Sequence, residues 1–141
     1  MFKKIMVAID GSQSSFNALN TAIDLAKRFE AKLYLVSVVN TANLPMNVGV
    51  SYAPGLVRDL ENGARDDLEK AKETVKKAGL LCNVKLLNGE PRNELTRFPQ
   101  ENKIDLIVMG KTGNSGLARI LVGSVTRYVS ERSQTNVLIV D

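Results

Sequence analysis

The sequence predicts a parallel α/β domain, a sheet of five short strands covered by helices on both faces. Three observations carry that reading. Apolar runs of four to seven residues recur along the chain, as strands buried on both faces should. Stretches of helical periodicity separate them, and glycine or proline punctuates the junctions. The resulting β-α-β-α-β-α-β-α-β order fits a parallel sheet joined by right-handed crossovers. With 141 residues, the chain has room for one such domain, residues 1–141, around one core.

The first strand is Ile5-Met6-Val7-Ala8-Ile9, which follows Lys4 and stops at Asp10. Behind Lys3-Lys4 it imitates a secretory signal, but it falls short of the roughly 7–15 apolar residues of such a segment. It reads as a buried strand of a cytoplasmic protein. The first helix runs from about Ser14 to Phe29, with apolar residues at 16, 19, 23 and 26 and a second stripe at 18, 22, 25 and 29. That broad face suits packing on a sheet. Leu33 to Val39, interrupted only by Ser37, is the second strand. Asn40 to Pro54, with two prolines and Gly49, is irregular and long for a compact domain, as a functional flap or a mobile connection would be.

Val57, Leu60, Ala64, Leu68, Ala71, Val75 and Ala78 recur every three or four residues and predict a long second helix that Gly79 ends. Its Glu69-Lys70 and Glu73-Lys77 pairs read as a solvated face. Val84, Leu86 and Leu87 are sparser, as in an edge strand, and Cys82 beside them reads as a small buried hydrophobe. A third helix opens at Pro91, where a missing N–H does no harm, and Pro99 is expected to kink or split it near Phe98. Ile104 to Met109, broken by Asp105, is the fourth strand. The fourth helix covers about Ser124 to Arg132 with Ser124 as its N-cap, and Val137 to Val140 is the fifth strand.

Composition removes several function classes. The chain has no histidine, so it supplies no histidine base, no Ser-His pair and no imidazole ligand. One cysteine allows neither an internal disulfide nor CxxC chemistry. No stretch approaches the roughly 20 apolar residues that cross a bilayer. The net charge of +4 is a mild bias towards anions, but bases and acids are interspersed and aromatic residues number seven, three Tyr and four Phe. A nucleic-acid face is therefore poorly supported.

Open parallel sheets bind ligands at the carboxyl ends of their strands, where the strand order reverses. Asp10-Gly11-Ser12 follows the first strand. After the fourth comes Gly110-Lys111-Thr112-Gly113-Asn114-Ser115-Gly116, and Gly123-Ser124 opens the last helix. Glycines after a strand let backbone N–H groups converge on an anion, and a helix N-terminus adds donors and partial positive charge. A polyphosphate fits between the two, with the Lys111 charge and the Ser124 hydroxyl as further contributors. The spacing G-x2-G-x9-G-[ST] has a chance expectation below about 0.01 in a chain of this length. Asp10 is a candidate ligand contact, and equally a carboxylate that caps the turn carrying Ser12.

That glycine pattern, Gly110, Gly113 and Gly123-Ser124, resembles the ATP-binding signature of the universal stress protein family. So do the blocks Lys4 to Ser12, Asp105 to Gly110, Leu121 to Val125 and Val137 to Val140, in the same order. The resemblance implies a parallel sheet of order 3-2-1-4-5 and a cytoplasmic, ATP-binding protein of regulatory or stress-survival role, at most a slow ATPase. It implies that Asp10 meets the ribose or helps to organise Mg²⁺, and that the backbone of Val38 meets the adenine edge. Gly110, Gly113, Gly123 and Ser124, with the Val125 N–H, would hold phosphates and ribose. Lys111-Thr112 departs from the small-then-basic pair of many relatives.

Two other readings compete. An adenine nucleotide α-hydrolase shares the architecture but needs a second glycine in the loop after the first strand, and Asp10-Gly11-Ser12-Gln13-Ser14-Ser15 has one. A nucleotide-free interaction module is the third. The apolar fifth strand, Val137 to Val140, would be an aggregation hazard as an open sheet edge. A second copy pairing through the same edge covers it as an isologous homodimer, which the resemblance also implies.

Overall fold

A computed structural model of the chain describes residues 1–42, 53–112 and 122–141. The elements follow the order β1 (Lys4–Ala8), α1 (Gln13–Phe29), β2 (Lys32–Asn40), α2 (Ala53–Lys77), β3 (Cys82–Gly89), α3 (Pro91–Glu101), β4 (Leu106–Gly110), α4 (Ser124–Arg132) and β5 (Asn136–Val140). All strand pairings are parallel, and the sheet order is β3-β2-β1-β4-β5. The flap expected between Asn40 and Pro54 falls largely on residues 43–52, outside the described residues.

The apolar runs look continuous because each central strand feeds two cores. Side chains alternate across a sheet, so Ile5 and Val7 of β1, Leu33 and Leu35 of β2, and Leu106 and Val108 of β4 share one face. There they pack with Ala18, Leu19 and Ala22 of α1 and with Leu68, Ala71 and Val75 of α2. Met6, Val36, Ile107 and Met109 face the other way, towards Leu95 and Phe98 of α3 and Val129 of α4. The chain therefore covers one face with its first two helices and the other with its last two. The direction of winding reverses between β1 and β4, which are neighbours in the sheet.

Four local expectations need correction. Pro99 does not split α3, which continues to Glu101. It sits in the last turn, where only the nearby Leu95 carbonyl loses a helical donor, and the Phe98 carbonyl regains partners from the Asn102 backbone at 3.0 Å and side chain at 2.9 Å. Ser124 is not the cap of α4. The helical ladder starts at the Gly123 carbonyl, which accepts from the Arg127 N–H at 2.9 Å, so Gly123 is the N-cap and Ser124 the first helical residue. Helix α2 begins at Ala53, before the apolar pattern that announces it. Its buried positions, Leu68, Ala71 and Val75, all lie in its second half, and Leu56 and Leu60 are exposed. Cys82 is half-buried rather than enclosed, because it lies on the edge strand and the neighbouring Leu81 is turned to solvent. Burial still pushes its thiol up, against a smaller opposing effect of Lys72.

Gly79 stops α2 as expected. Its φ of 82° is a left-handed conformation that other residues adopt only with strain, and its N–H bonds the Lys76 carbonyl at 2.9 Å.

Candidate functional site

A cleft of about 460 Å³ opens at the carboxyl ends of β1, β2 and β4, on the α3/α4 side of the sheet. That is the position the winding reversal predicts, and the volume is within the range of small-molecule sites. Val36 and Val38 of β2, Ala8 of β1 and Met109 of β4 give it apolar walls. Its polar groups come from the turn after β1, from the end of β2, and from the segments on either side of residues 113–121.

Of the residues expected at a ligand site, Asp10, Val38, Gly110, Gly123, Ser124 and Val125 all line this cleft. Gly113 lies outside the described residues. Lys111 is not part of the lining, whereas Thr112 is.

The turn after β1 is held by a short relay of hydroxyls. Asp10 Oδ1 accepts from the Ser12 N–H at 2.9 Å and from the Ser12 hydroxyl at 2.5 Å. Ser12 Oγ in turn accepts from the Ser15 N–H at 3.1 Å, which caps α1. The Ser15 hydroxyl donates to the Ser12 carbonyl at 2.9 Å. Asp10 thus does anchor the turn, and it lines the cleft as well. Gly11, at φ 82°, is a second left-handed position. A Cβ there would meet the Asp67 carboxylate at 2.6 Å, so α2 closes over this turn.

That approach has an electrostatic consequence. Desolvation raises the pKa of Asp67, helped by the charges of Asp10 and Asp66 and opposed by Lys70. A carboxyl whose folded pKa is raised adds stability only when protonated, below the unfolded value of about 3.9, and loses it as the pH climbs through the folded pKa. Asp67→Asn is therefore expected to raise the melting temperature at pH 7, by an amount that vanishes as the pH falls towards 4. Thermal melts across pH 4–8 measure this, and a gap independent of pH would contradict it.

The fourth strand approaches α1 closely. A Cβ on Gly110 would lie 2.5 Å from Ser14 Oγ and 2.6 and 2.8 Å from the Ser14 carbonyl carbon and oxygen. Beyond Gly110 the chain leaves and re-enters the described structure at one place. The Gly123 N–H bonds the Lys111 carbonyl at 2.8 Å, and the Lys111 N–H bonds the Val140 carbonyl at 2.7 Å. The Thr126 hydroxyl, itself buried, donates to the Gly110 carbonyl at 2.9 Å. These bonds bring the end of β4 and the start of α4 together at the cleft.

Helix α4 begins there without a side-chain cap. Ser12 caps α1 and Glu90 caps α3, each accepting a first-turn N–H, but at Gly123 no side chain is available to do so. Among the described residues no side chain accepts from its leading amides, which face the cleft at Ser124 and Val125. A second recess of about 330 Å³ adjoins at Ser124, lined by Arg92 of α3 and Arg127 of α4 together with Glu131. Among the described residues no acidic side chain comes within ion-pair distance of either arginine. No three His, Cys, Asp or Glu side chains among them gather as a metal site, and no described helix is long and apolar enough to cross a membrane.

Sequence reasoning missed Ser12, Ser15, Asn40, Thr126, Pro91 and Leu95 as cleft residues. Two carried a readable signal. Thr126 follows Ser124 by two positions in the first turn of the same helix, and Asn40 terminates an apolar strand at its carboxyl end, as Asp10 follows β1. Pro91 and Leu95 come from the helix across the cleft, and nothing local announces that.

Fold and cleft together define a doubly wound α/β domain with its ligand-sized opening at the winding reversal. The Universal stress protein family model matches residues 1–141, and the chain belongs to that family. It is 37% identical over 143 residues to Universal stress protein MJ0531 of Methanocaldococcus jannaschii, covering 99% of this chain and 82% of that one. Universal stress protein UspA from Lactobacillus plantarum superposes with a TM-score of 0.90 at 25% identity, over 99% of this chain and 98% of that one. A universal stress protein in complex with cAMP gives a TM-score of 0.74 at 31% identity, over 99% and 97%.

Proposed function

We propose that residues 1–141 act as one adenine nucleotide-binding domain, with ATP as the ligand and a regulatory role in a cytoplasmic stress response. The observation that carries this reading is the start of α4, capped by no side chain among the described residues and joined at the cleft to the end of β4. First-turn amides in that state suit phosphate oxygens. Arg92 and Arg127 beside Ser124 favour a polyphosphate over a single phosphate. The solved relative with cAMP supports the adenine nucleotide class.

In this arrangement the base lies on Val36 and Val38, where the Val38 backbone meets its edge. Asp10 takes the ribose, and Gly110, Gly123, Ser124 and the Val125 N–H take phosphates and ribose, with Gly113 completing the glycine set. Mg²⁺, when bound, screens the phosphate charge. Asp10, on the cleft wall with one oxygen already oriented by Ser12, fits the single carboxylate such an ion commonly uses beside phosphates.

Micromolar affinity, about −8 kcal/mol, is expected from calorimetry with ATP. ATP at 100 times its dissociation constant should stabilise the fold by about 2.7 kcal/mol. At Gly123, φ −56° and ψ 152° are open to any residue, so Gly123→Val should still fold, less stable by up to about 1 kcal/mol because valine is a poorer N-cap than glycine. Its side chain would stand where phosphate approaches, and ATP should bind at least about tenfold more weakly, 1.4 kcal/mol. Equal affinity in both proteins would reject the phosphate assignment, and absence of nucleotide binding would reject the function.

The same reading includes a homodimer through β5. This edge strand leaves Leu138 and Ile139 more than a third exposed, at 36% and 37%. A second copy placed against it would pair the open backbone and cover both side chains. Sedimentation should give twice the 15.4 kDa chain mass, and a monomer at tens of micromolar would refute the pairing.

A further inference from the structure

We infer that Asn40 selects the base of the bound nucleotide, its side-chain oxygen accepting a hydrogen bond from the 6-amino group of adenine. The inference rests on the adenine nucleotide reading above and assigns the discriminating contact within it. Among the described residues, Asn40 Oδ1 is the one buried side-chain oxygen or nitrogen that no donor reaches. Buried acceptors are rarely left in that state without a functional reason. Asn40 is half-buried and lines the cleft, and the inference has its amide turn about its side-chain bonds to meet the base.

Its place in the fold suits a base rather than a phosphate. Val36, Val38 and Asn40 alternate along β2 and share one face, so the apolar floor leads directly to the amide. The phosphate-binding features belong to β4 and α4. With β1 between them, β2 and β4 lie two strand spacings apart, about 10 Å, which a nucleoside can span. The strand partner of Asn40 is Gly89, and the Thr41 N–H closes the last rung on the Gly89 carbonyl at 3.2 Å. The backbone that presents the amide is therefore fixed.

An acceptor at this position distinguishes purines by chemistry. Adenine offers N–H donors at its 6-position that Oδ1 can accept, purine riboside has no 6-substituent, and guanine offers a carbonyl that the amide could meet only by turning over to present its Nδ2–H. The test is calorimetry of ATP, GTP and purine riboside triphosphate on the wild-type chain, Asn40→Leu and Asn40→Asp. Wild type should prefer ATP to purine riboside triphosphate about tenfold. Asn40→Leu should narrow the preference several-fold by weakening ATP alone, the remainder belonging to the Val38 backbone, and Asn40→Asp, which keeps an oxygen there, should retain the preference. An ATP preference unchanged in Asn40→Leu would overturn this inference and leave nucleotide binding standing. A wild-type preference for GTP that Asn40→Leu abolishes would put an N–H at that position and overturn it too. No binding of any of the three by wild type would remove the underlying reading, and the inference with it.

Discussion

Gly110→Val is expected to lower the stability of the chain by about 3 kcal/mol and, in the fraction that folds, to weaken ATP at least about tenfold. A β-carbon at Gly110 would already lie within 2.8 Å of three atoms of Ser14, two of them backbone. Atoms of a helix backbone cannot step aside as a side chain does. Either β4 or the first turn of α1 must move, and both carry cleft residues. The melting temperature should fall by roughly 10 °C. Adding Ser14→Gly should recover only part of this loss, because it removes the hydroxyl contact and leaves the two backbone contacts. Full recovery would show that the side chain alone was the obstacle. Gly63→Ala is the control, since nothing lies within 4 Å of a Cβ at that helical position. It should be neutral or stabilising by up to about 1 kcal/mol.

Leu19→Ala is expected to cost about 2–5 kcal/mol while leaving nucleotide affinity unchanged. Leu19 is fully buried where α1 crosses the sheet, in the core with Ile5, Val7 and Leu35. Truncation leaves a void between helix and sheet, and rigid neighbours fill it only partly. Apart from Ile9, which also lines the cleft, the core it belongs to lies on the opposite face of the sheet. Chemical denaturation should show a lower midpoint with an unaltered slope. Calorimetry under native conditions should return the wild-type constant for ATP. A large loss of affinity would mean that the two faces are coupled more tightly than this packing implies.

Most of the fold was legible because buried parallel strands write themselves as nearly continuous apolar runs. Ile5 to Ile9, Leu33 to Val39 and Ile104 to Met109 could hardly be anything else between helices of this length. The location of the cleft followed from topology, and of the glycines singled out, Gly110 and Gly123 line it. Less visible were features set by tertiary neighbours. The start of α2 was hidden because residues 53–56 precede the periodic pattern, which begins at Val57. Ser12 and Ser15 look like ordinary turn and helix residues until the Ser12 hydroxyl is seen to donate to the Asp10 carboxylate while accepting the Ser15 N–H that begins α1. Asn40 reads as the first residue of a loop, and only the ladder to Gly89 shows that it is the last of a strand. The cap of α4 was misplaced by one residue, since Ser124 is a favoured capping type and Gly123 is a permitted one.

The backbone bond between Gly123 and Lys111 also bears on how the chain tolerates change. It fastens both ends of the excursion after β4 to one point beside the C-terminal strand. Insertions within that excursion leave the anchor where it is. For a closed loop the entropy penalty grows with the logarithm of its length, so doubling the excursion would cost only about 0.6 kcal/mol. A change in length between residues 111 and 123 would therefore cost the fold little, both ends staying held beside the cleft.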